Sequence, residues 1–379
     1  YIGDNSKIGK ASGATIGDVS VVADANYDIE VDAWGVSAGM AVGLTANVGL
    51  VDITADVQAQ IGDSVQIIAS GDILVQARAQ SNVDVGVWGV AVSTQLAAGV
   101  SLAYASVTLD IDATIGQATV IDTSGGDVTV AASHNKNGGK ALTDAMASGG
   151  GLLAGNGADA DTSLNIEVDA AIGNDVEITA SGDISLTAEA KHEADSESSS
   201  VTVGGAAIAP LYSETDINNY TRVQIGMNAV LNAGKNITLN AKAVHKADSD
   251  SDARGGGVIG AMFGDAEVSF DYKTQVNLKT NASLTAGGML TALAQTSIEG
   301  EVTADAIGGG LGSGSEAGAT LRVGAPDAVT EVKTDPNISL KGNKVKLIAE
   351  SPQIKGKVWA DARTYGVVGG SNSDAILNI

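Results

Sequence analysis

Two of the three histidines in the chain stand one repeat apart and are followed by carboxylates. His192 and His245 are separated by 53 residues (245 − 192), and acidic residues follow each of them closely. If neighbouring repeats stack, the imidazoles and carboxylates could form a ladder of metal ligands. A metal site needs three or more converging ligands, and the spacing by itself suggests only stacking. We therefore favour a solvated corner that was copied from one repeat to the next.

A second candidate for metal binding is the acidic run Asp248, Asp250 and Asp252, with a similar pair at Asp159 and Asp161. Calcium prefers carboxylate and carbonyl oxygens, so calcium is the cation that these residues suggest. The chain contains no EF-hand loop and no recurring glycine-rich calcium nonapeptide. Outward charge that maintains solubility explains the same residues. No cofactor is firmly indicated, and calcium stays a hypothesis.

The sequence offers little for catalysis. It has no cysteine, and no Gly-x-Ser-x-Gly elbow precedes a helix, which removes two common nucleophile arrangements. Its acids recur at equivalent positions, as outward structural residues do. We therefore expect a protein that is not an enzyme. The alternative is a carbohydrate-active enzyme, because some parallel β-helices cleave polysaccharides with a few non-repeating acidic or basic residues on one face.

An internal repeat determines how all of these residues are positioned. One strand opening, Gly-Asp followed by alternating apolar residues, recurs in seven copies, in drifted form after the fourth. Its apolar anchors are spaced 54, 55, 56, 53, 53 and 55 residues apart: Val19, Ile73, Val128, Ile184, Ile237, Leu290 and Val345. A constant period of this size indicates supersecondary units that must stack to bury their apolar faces.

Each unit has the same order of elements. A long run with apolar residues at every second position ends in Ile-Gly, and a short apolar strand and a Gly-Asp turn follow. Period-two alternation is typical of half-buried strands. The pattern predicts an all-β, right-handed parallel solenoid of about seven repeats of 53–56 residues. Residues 1–379 form one array, regular over 1–243 and more divergent over 244–379, and we expect it to be a window of a longer chain.

The length of the unit leaves two arrangements open. Each repeat is either two coils, or one coil with a projecting strand pair. We favour the strand pair in the first two copies, where Trp34 and Trp88 align at a spacing of 54 residues (88 − 34).

Residues 85–109 contain no charge and are long enough to suggest a transmembrane helix. Polar residues, glycines and β-branched alternation argue against a helix, and the aligned part of the third copy contains Asp144 and Asp159. We expect no membrane span here. The segment is better explained as an apolar β-face, buried in the solenoid or against another copy; if it is exposed, it is a surface for assembly.

Composition narrows the partners. The chain has 45 acidic against 21 basic residues and a net charge of −24, so we expect no binding to nucleic acid. Hydrophobic residues make up 44% of the chain, which argues against disorder.

The repeated pattern resembles that of large bacterial β-strand-repeat surface adhesins, the filamentous-haemagglutinin and leukotoxin-type filamentous adhesin kind. The residues that support the resemblance lie in 59–79, 113–131 and 170–188. It implies secretion to the cell surface and a structural role as a stalk, filament or sheath in adhesion. The expected partners are other copies of the chain and a surface or cell-wall polysaccharide. A passenger domain that presents a host-ligand site is the alternative. The resemblance implies no binding residue.

Overall fold

The computed structural model describes residues 1–9, 16–324 and 328–379, and all regular elements in these ranges are strands. The first half contains ten strands: β1 Lys7–Ile8, β2 Val19–Gly39, β3 Val42–Ile61, β4 Gln66–Ala69, β5 Ile73–Ser93, β6 Leu96–Ile115, β7 Val120–Thr123, β8 Val128–His134, β9 Ala141–Ile172 and β10 Glu177–Ala180. The second half contains eight: β11 Ile184–Ile225, β12 Val230–Ala233, β13 Ile237–Leu278, β14 Ser283–Ala286, β15 Met289–Val323, β16 Val329–Thr334, β17 Ser339–Lys341 and β18 Lys344–Asn378.

Stacking of consecutive repeats is the dominant feature of the fold. β11 pairs with β13 in parallel from Ile184–Ile237 to Ile225–Leu278, so each paired residue meets the residue 53 positions later. The long strands form one sheet and the seven short strands form another, in chain order from β1 to β17. The all-β parallel solenoid is therefore confirmed. The ladder continues through the divergent repeats as far as β18.

Each repeat is one flattened coil. A straight strand of the length of β11 would extend about 140 Å, yet residues in its first half face residues in its second half. Ser196 Oγ donates a hydrogen bond to the Glu214 carbonyl (2.7 Å), and Ser213 Oγ donates to the Ser196 carbonyl (2.6 Å). The chain thus runs out, bends near Gly204 and runs back, with side chains packed between the two arms. We number the coils 1–7 from β2 to β18, and call the two halves the outgoing and returning arms.

This geometry excludes two coils per repeat. It also corrects the expectation of a strand pair confined to the first copies, because both arms are present in every coil. Within the described residues, the arms of one coil are not paired with each other as a hairpin; each pairs in parallel with the same arm of the neighbouring coils. An additional strand pair is unnecessary, since the length of the arms accounts for the 53–56-residue period.

A stack of glycines allows the coils to approach each other at the bend. The register aligns Gly151, Gly204, Gly257, Gly310 and Gly366. A Cβ atom added at Gly257 would collide with the carbonyl oxygen of Gly204, and one at Gly366 with that of Gly310. The glycine-rich segment of each repeat therefore serves close backbone contact between coils.

The short strands close the third side of each coil and contribute a continuous apolar ladder. Its inward residues are buried and lie in register from coil to coil: Ile67, Ile121, Ile178, Leu231 and Leu284. Branched aliphatic side chains fit such ladders because each packs on its equivalent in the next coil.

The Gly-Asp turns join neighbouring coils through their carboxylates. Asp72 Oδ1 accepts a hydrogen bond from the Asp127 backbone N–H (2.8 Å), and Asp127 Oδ1 accepts one from the Asp183 N–H (2.8 Å). In the next coil Asp183 Oδ1 accepts from the Asn236 N–H (2.8 Å), and Asn236 Oδ1 accepts from the Met289 N–H (2.8 Å). The repeated acid is thus an acceptor between coils, and an amide can replace it.

We predict that Asp127→Ala lowers the free energy of unfolding by about 1 kcal/mol, because the Asp183 N–H loses its acceptor. Asp127→Asn retains an acceptor oxygen, as Asn236 does in its coil, and should change stability by less than half as much. Urea unfolding followed by circular dichroism measures both variants. Equal losses in the two variants would contradict the acceptor role.

Candidate functional site

The three histidines form a stack in the interior. The rings of His192 and His245 are parallel, with centroids 5.1 Å apart and an interplanar angle of 2°. His134 joins them, with its Nδ1 3.2 Å from the Nδ1 of His192 and its Nε2 3.0 Å from Ser81 Oγ. One of the two facing Nδ1 atoms must therefore carry the proton. All three rings are buried.

The expectation of a solvated corner at His192 and His245 is therefore wrong. Alternation along the strand directs the imidazoles inward, and the neighbouring Glu193 and Asp195 outward. Sequence reasoning also missed His134, because it lies 58 residues before His192 and not one repeat before it. In the ladder His134 pairs with Ala190, two residues before His192. Its strand ends at His134, and the loop at 135–140 restores the register.

Burial holds the imidazoles neutral. It lowers the pKa of His134 and of His245 to about 3, and it lowers the pKa of His192 as well, aided by the other two rings. Among the described residues, neither ring nitrogen of His245 has a hydrogen-bond partner. The side of His245 is lined by the rings of Phe270 and Tyr272. A proton entering this stack would be a charge in an apolar environment.

The acidic candidates lie on the opposite side of the sheet from the histidines. Asp248, Asp250 and Asp252 point outward from the outgoing arm of coil 5, while Ser249 and Ser251 between them point inward. The structure thus does not bring His192 and His245 into one site with these carboxylates. No group of three or more metal-ligating side chains is found in residues 1–9, 16–324 and 328–379. Calcium remains untested.

Like charges crowd the outer acidic faces. Partial burial, followed by the charges of Glu197, Asp252 and Asp305, raises the pKa of Asp250 to about 6. On the returning arm, burial and the carboxylates of Asp216, Asp161 and Glu267 raise the pKa of Glu214 to about 7.

A cluster of one arginine and neighbouring carboxylates was also missed. Arg222 contacts Asp169 and lies 3.3 Å from Glu167 on the outer face of the returning arms. Burial raises the pKa of Asp169 to about 7 against the effect of Arg222, and burial and neighbouring carboxylates raise that of Asp112 to about 6. Such groups can donate or accept protons near neutral pH. Counting from the repeat anchors in the sequence would have placed Asp112, Asp169 and Arg222 at the same position of coils 2, 3 and 4.

A polar groove lies beside the loop at 135–140. Small outward residues of coil 3, Ala131 and Ser133, form its floor. Its walls carry amides and paired ions: Asn26, Gln76, Gln80, the pair of Arg78 with Asp24, and the pair of Lys136 with Glu189. Paired charges and amides suit an uncharged ligand with many hydroxyl groups.

The bends of the coils present apolar side chains to solvent. Leu152 and Ile259 are each 62% exposed, although both lie in interior coils. In residues 85–109, one alternate set, including Val87 and Leu109, is buried, while the other is mostly half-buried, with Val100 among its exposed members. The uncharged segment is therefore both core and surface. No helix in the described part of the chain is long and apolar enough to cross a membrane.

Comparison with known proteins adds no family. No protein-family model, no curated protein and no solved structure matches the chain. The candidate sites are therefore defined by their geometry.

We predict that His245→Leu stabilises the protein at pH 7.5 by about 1 kcal/mol, because it removes a buried imidazole whose nitrogens lack partners. An aliphatic residue fits, since Ile298 occupies the same position in the next coil. The pKa of His245 is lowered from 6.5 to about 3. Below pH 6.5 the unfolded state binds a proton that the folded state does not bind, so the buried imidazole costs progressively more stability as the pH falls towards 3.

The wild type should therefore lose more stability than His245→Leu between pH 6.5 and 4.5, with the difference widening at each step. Urea titrations at four pH values measure this difference, and Ile298→Leu controls for repacking of the same ladder. Parallel pH profiles in wild type and variant would show that the imidazole titrates normally in the folded protein.

We predict that Glu214→Gln raises the melting temperature at pH 8 and has little effect at pH 4.5. The pKa of Glu214 is raised from 4.5 to about 7, so the folded state prefers its protonated form. That contribution is present below pH 4.5 and is lost as the pH rises through 7. Salt should reduce the difference at pH 8. Glu177→Gln, at an exposed position on the short-strand side, is the control for the loss of one carboxylate elsewhere on the surface.

Proposed function

We propose that the protein is a structural, non-enzymatic component of the cell exterior, a β-solenoid stalk or filament used in adhesion or in a surface sheath. The observation that carries the proposal is the nearly continuous backbone ladder between coils. Nearly every residue of β11 is paired with β13, and equivalent ladders join the other coils. Such a stack is one-dimensional, because each coil contacts only its neighbours.

This architecture suits transmission of force along the axis. Pulling one end away from the other loads the hydrogen bonds of a whole coil interface together. The Gly-Asp turns add side-chain bonds across the same interfaces. A long coil has many backbone hydrogen bonds to each neighbouring coil, so the rod is stiff although its side chains are small.

Surface chemistry supports an exposed, adhesive role. The net charge of −24 favours solubility, and the absence of cysteine removes mispairing during export. The polar groove between coils 2 and 4 is the surface that we assign to a surface or cell-wall polysaccharide. Outward carboxylates provide oxygen ligands through which calcium could stiffen the acidic faces.

We predict that stretching single molecules from their termini releases the coils one at a time. A coil of 53 residues adds about 190 Å of contour length when it is fully extended, at about 3.6 Å per residue. Force spectroscopy should therefore show regular steps near this length. One step for the whole chain, or steps unrelated to the repeat, would contradict the role of independent coils.

Two further assays test the role itself. Antibody labelling of intact cells should reach the protein, and electron microscopy should show rods with and without a calcium chelator.

The second candidate is the carbohydrate-active enzyme, favoured by the raised pKa values of Asp112 and Asp169 beside Arg222. Polysaccharide cleavage by the wild type that disappears in Asp169→Asn would replace the structural proposal with the enzyme.

A further inference from the structure

A six-residue loop interrupts the outgoing arm of coil 3. Residues 135–140 lie between the end of β8 and the start of β9. Pairing of coil 3 with coil 4 stops at His134–Ala190 and resumes at Ala141–Ala194, so six residues of coil 3 stand opposite three of coil 4. The loop therefore inserts three extra residues (6 − 3). This insertion accounts for the longest spacing between repeat anchors, 56 residues.

Stacking of the coils does not require this loop. Residues 191–193 of coil 4 pair without interruption with coil 5, and the equivalent residues of coil 5 pair with coil 6. The side chains of Lys136, Asn137 and Lys140 in the loop are exposed. Exposed loops on a rigid scaffold commonly carry binding residues. A loop that one coil has and the stack does not need is therefore a candidate for a specific task.

Two grooves meet at the loop and together form a cleft along the stack, which we call the loop cleft. The polar groove described above extends from Asn26 in coil 1 to Glu189 in coil 4. A second groove, with a volume of about 300 Å³, continues from Lys136 and Glu189 to Lys242 in coil 5. The ion pair of Lys136 with Glu189 lines both grooves. Five coils at a spacing of about 4.8 Å give a cleft about 19 Å long, a shape that suits a linear polymer.

Lysines are concentrated around the second groove, although the chain has a net charge of −24. The three outgoing segments beside the loop, 128–140, 184–193 and 237–246, contain five lysines and two glutamates, a local net charge of +3 (5 − 2). The lysines are Lys136, Lys140, Lys191, Lys242 and Lys246. Charges further away than a Debye length, about 8 Å at physiological salt, are largely screened. A ligand in the loop cleft therefore responds mainly to these lysines.

Two of the five lysines have no carboxylate partner. Lys136, Lys140 and Lys246 lie within ion-pair distance of the two glutamates of these segments. Within the part of the chain that the structure describes, no ion pair involves Lys191 or Lys242, and both side chains are exposed and line the second groove. An unpaired ammonium group is a hydrogen-bond donor with a full positive charge. The second groove therefore suits an anionic group, and the polar groove beside it suits hydroxyl groups.

We propose that the loop cleft binds a linear polysaccharide that carries carboxylate groups. Its carboxylates bind Lys191 and Lys242, and its hydroxyl groups bind the amides of the polar groove. The inference rests on the proposed adhesive role and names the class of ligand and the residues that hold it. Amides donate and accept hydrogen bonds, as sugar hydroxyls do, so Gln76 and Gln80 suit the neutral part of the polymer. A neutral polysaccharide would gain nothing from the two ammonium groups.

Isothermal titration calorimetry of the protein with a short oligogalacturonate tests the proposal, and the methyl ester of the same oligosaccharide is the matched neutral ligand. We expect the ester to bind at least tenfold more weakly, because it retains most hydroxyl groups and lacks the charge. Raising the salt concentration should weaken binding of the acid form and have little effect on the ester.

Substitution of the two unpaired lysines tests the site. Lys191→Gln combined with Lys242→Gln should raise the dissociation constant of the acid form at least tenfold and leave that of the ester unchanged. Lys7→Gln combined with Lys235→Gln removes the same charge from exposed positions in or next to the short strands, and both constants should stay unchanged. Circular dichroism confirms that both double variants are folded.

Three results would each overturn the proposal: no binding of oligogalacturonate, equal affinity for the acid and the ester, or equal effects of the two double variants. Binding to phosphatidylserine vesicles that is lost in Lys191→Gln with Lys242→Gln, without binding to oligogalacturonate, would assign the lysines to an anionic membrane instead. These outcomes leave the force measurement and the electron microscopy unaffected. A stalk that lacks this ligand is therefore distinguishable from a protein that is not a stalk.

Discussion

The parallel hydrogen-bond ladder between consecutive coils is the constraint on which the rest of the structure depends. It joins each residue to the residue one repeat later, so that the repeat length must be nearly constant wherever the ladder is unbroken. It also stacks like on like: glycine on glycine at the bend, isoleucine on isoleucine in the short strands, and imidazole on imidazole in the core. A feature present in one coil therefore becomes a line that runs along the solenoid.

Alternation along each strand then divides these lines between two environments. Inward lines are nearly free of charge, and where a titratable residue occurs there, as at His192, burial holds it neutral. Outward lines collect carboxylates at close spacing, and partial burial, together with mutual repulsion, raises pKa values such as that of Asp250. Lowering the pH therefore has opposite effects on stability at the two faces. Protonation of the outer carboxylates reduces their mutual repulsion, whereas protonation of the inner histidines would place charge in the core.

The flattened coil gives the solenoid a third distinct region at its bends. Two long arms packed against each other leave a narrow edge where neither core nor acidic face is present. Glycines there permit close stacking, and the side chains between them are apolar and exposed. The solenoid therefore carries most of its charge on its two long faces and exposes apolar side chains at its bends.

The sequence by itself determined the strands, the period and the parallel stack, because alternation and a constant spacing leave few other ways to bury small β-branched residues. It also located the Gly-Asp turns. Only the tertiary structure decided that a repeat is one flattened coil, since the bend depends on contacts such as Ser196 with Ser213 across the two arms. An alternation of period two shows that a strand has two different faces, but it does not show which of them faces the core. Where both faces are uncharged, as at 85–109, or where one histidine is out of register, as at His134, only packing makes that choice.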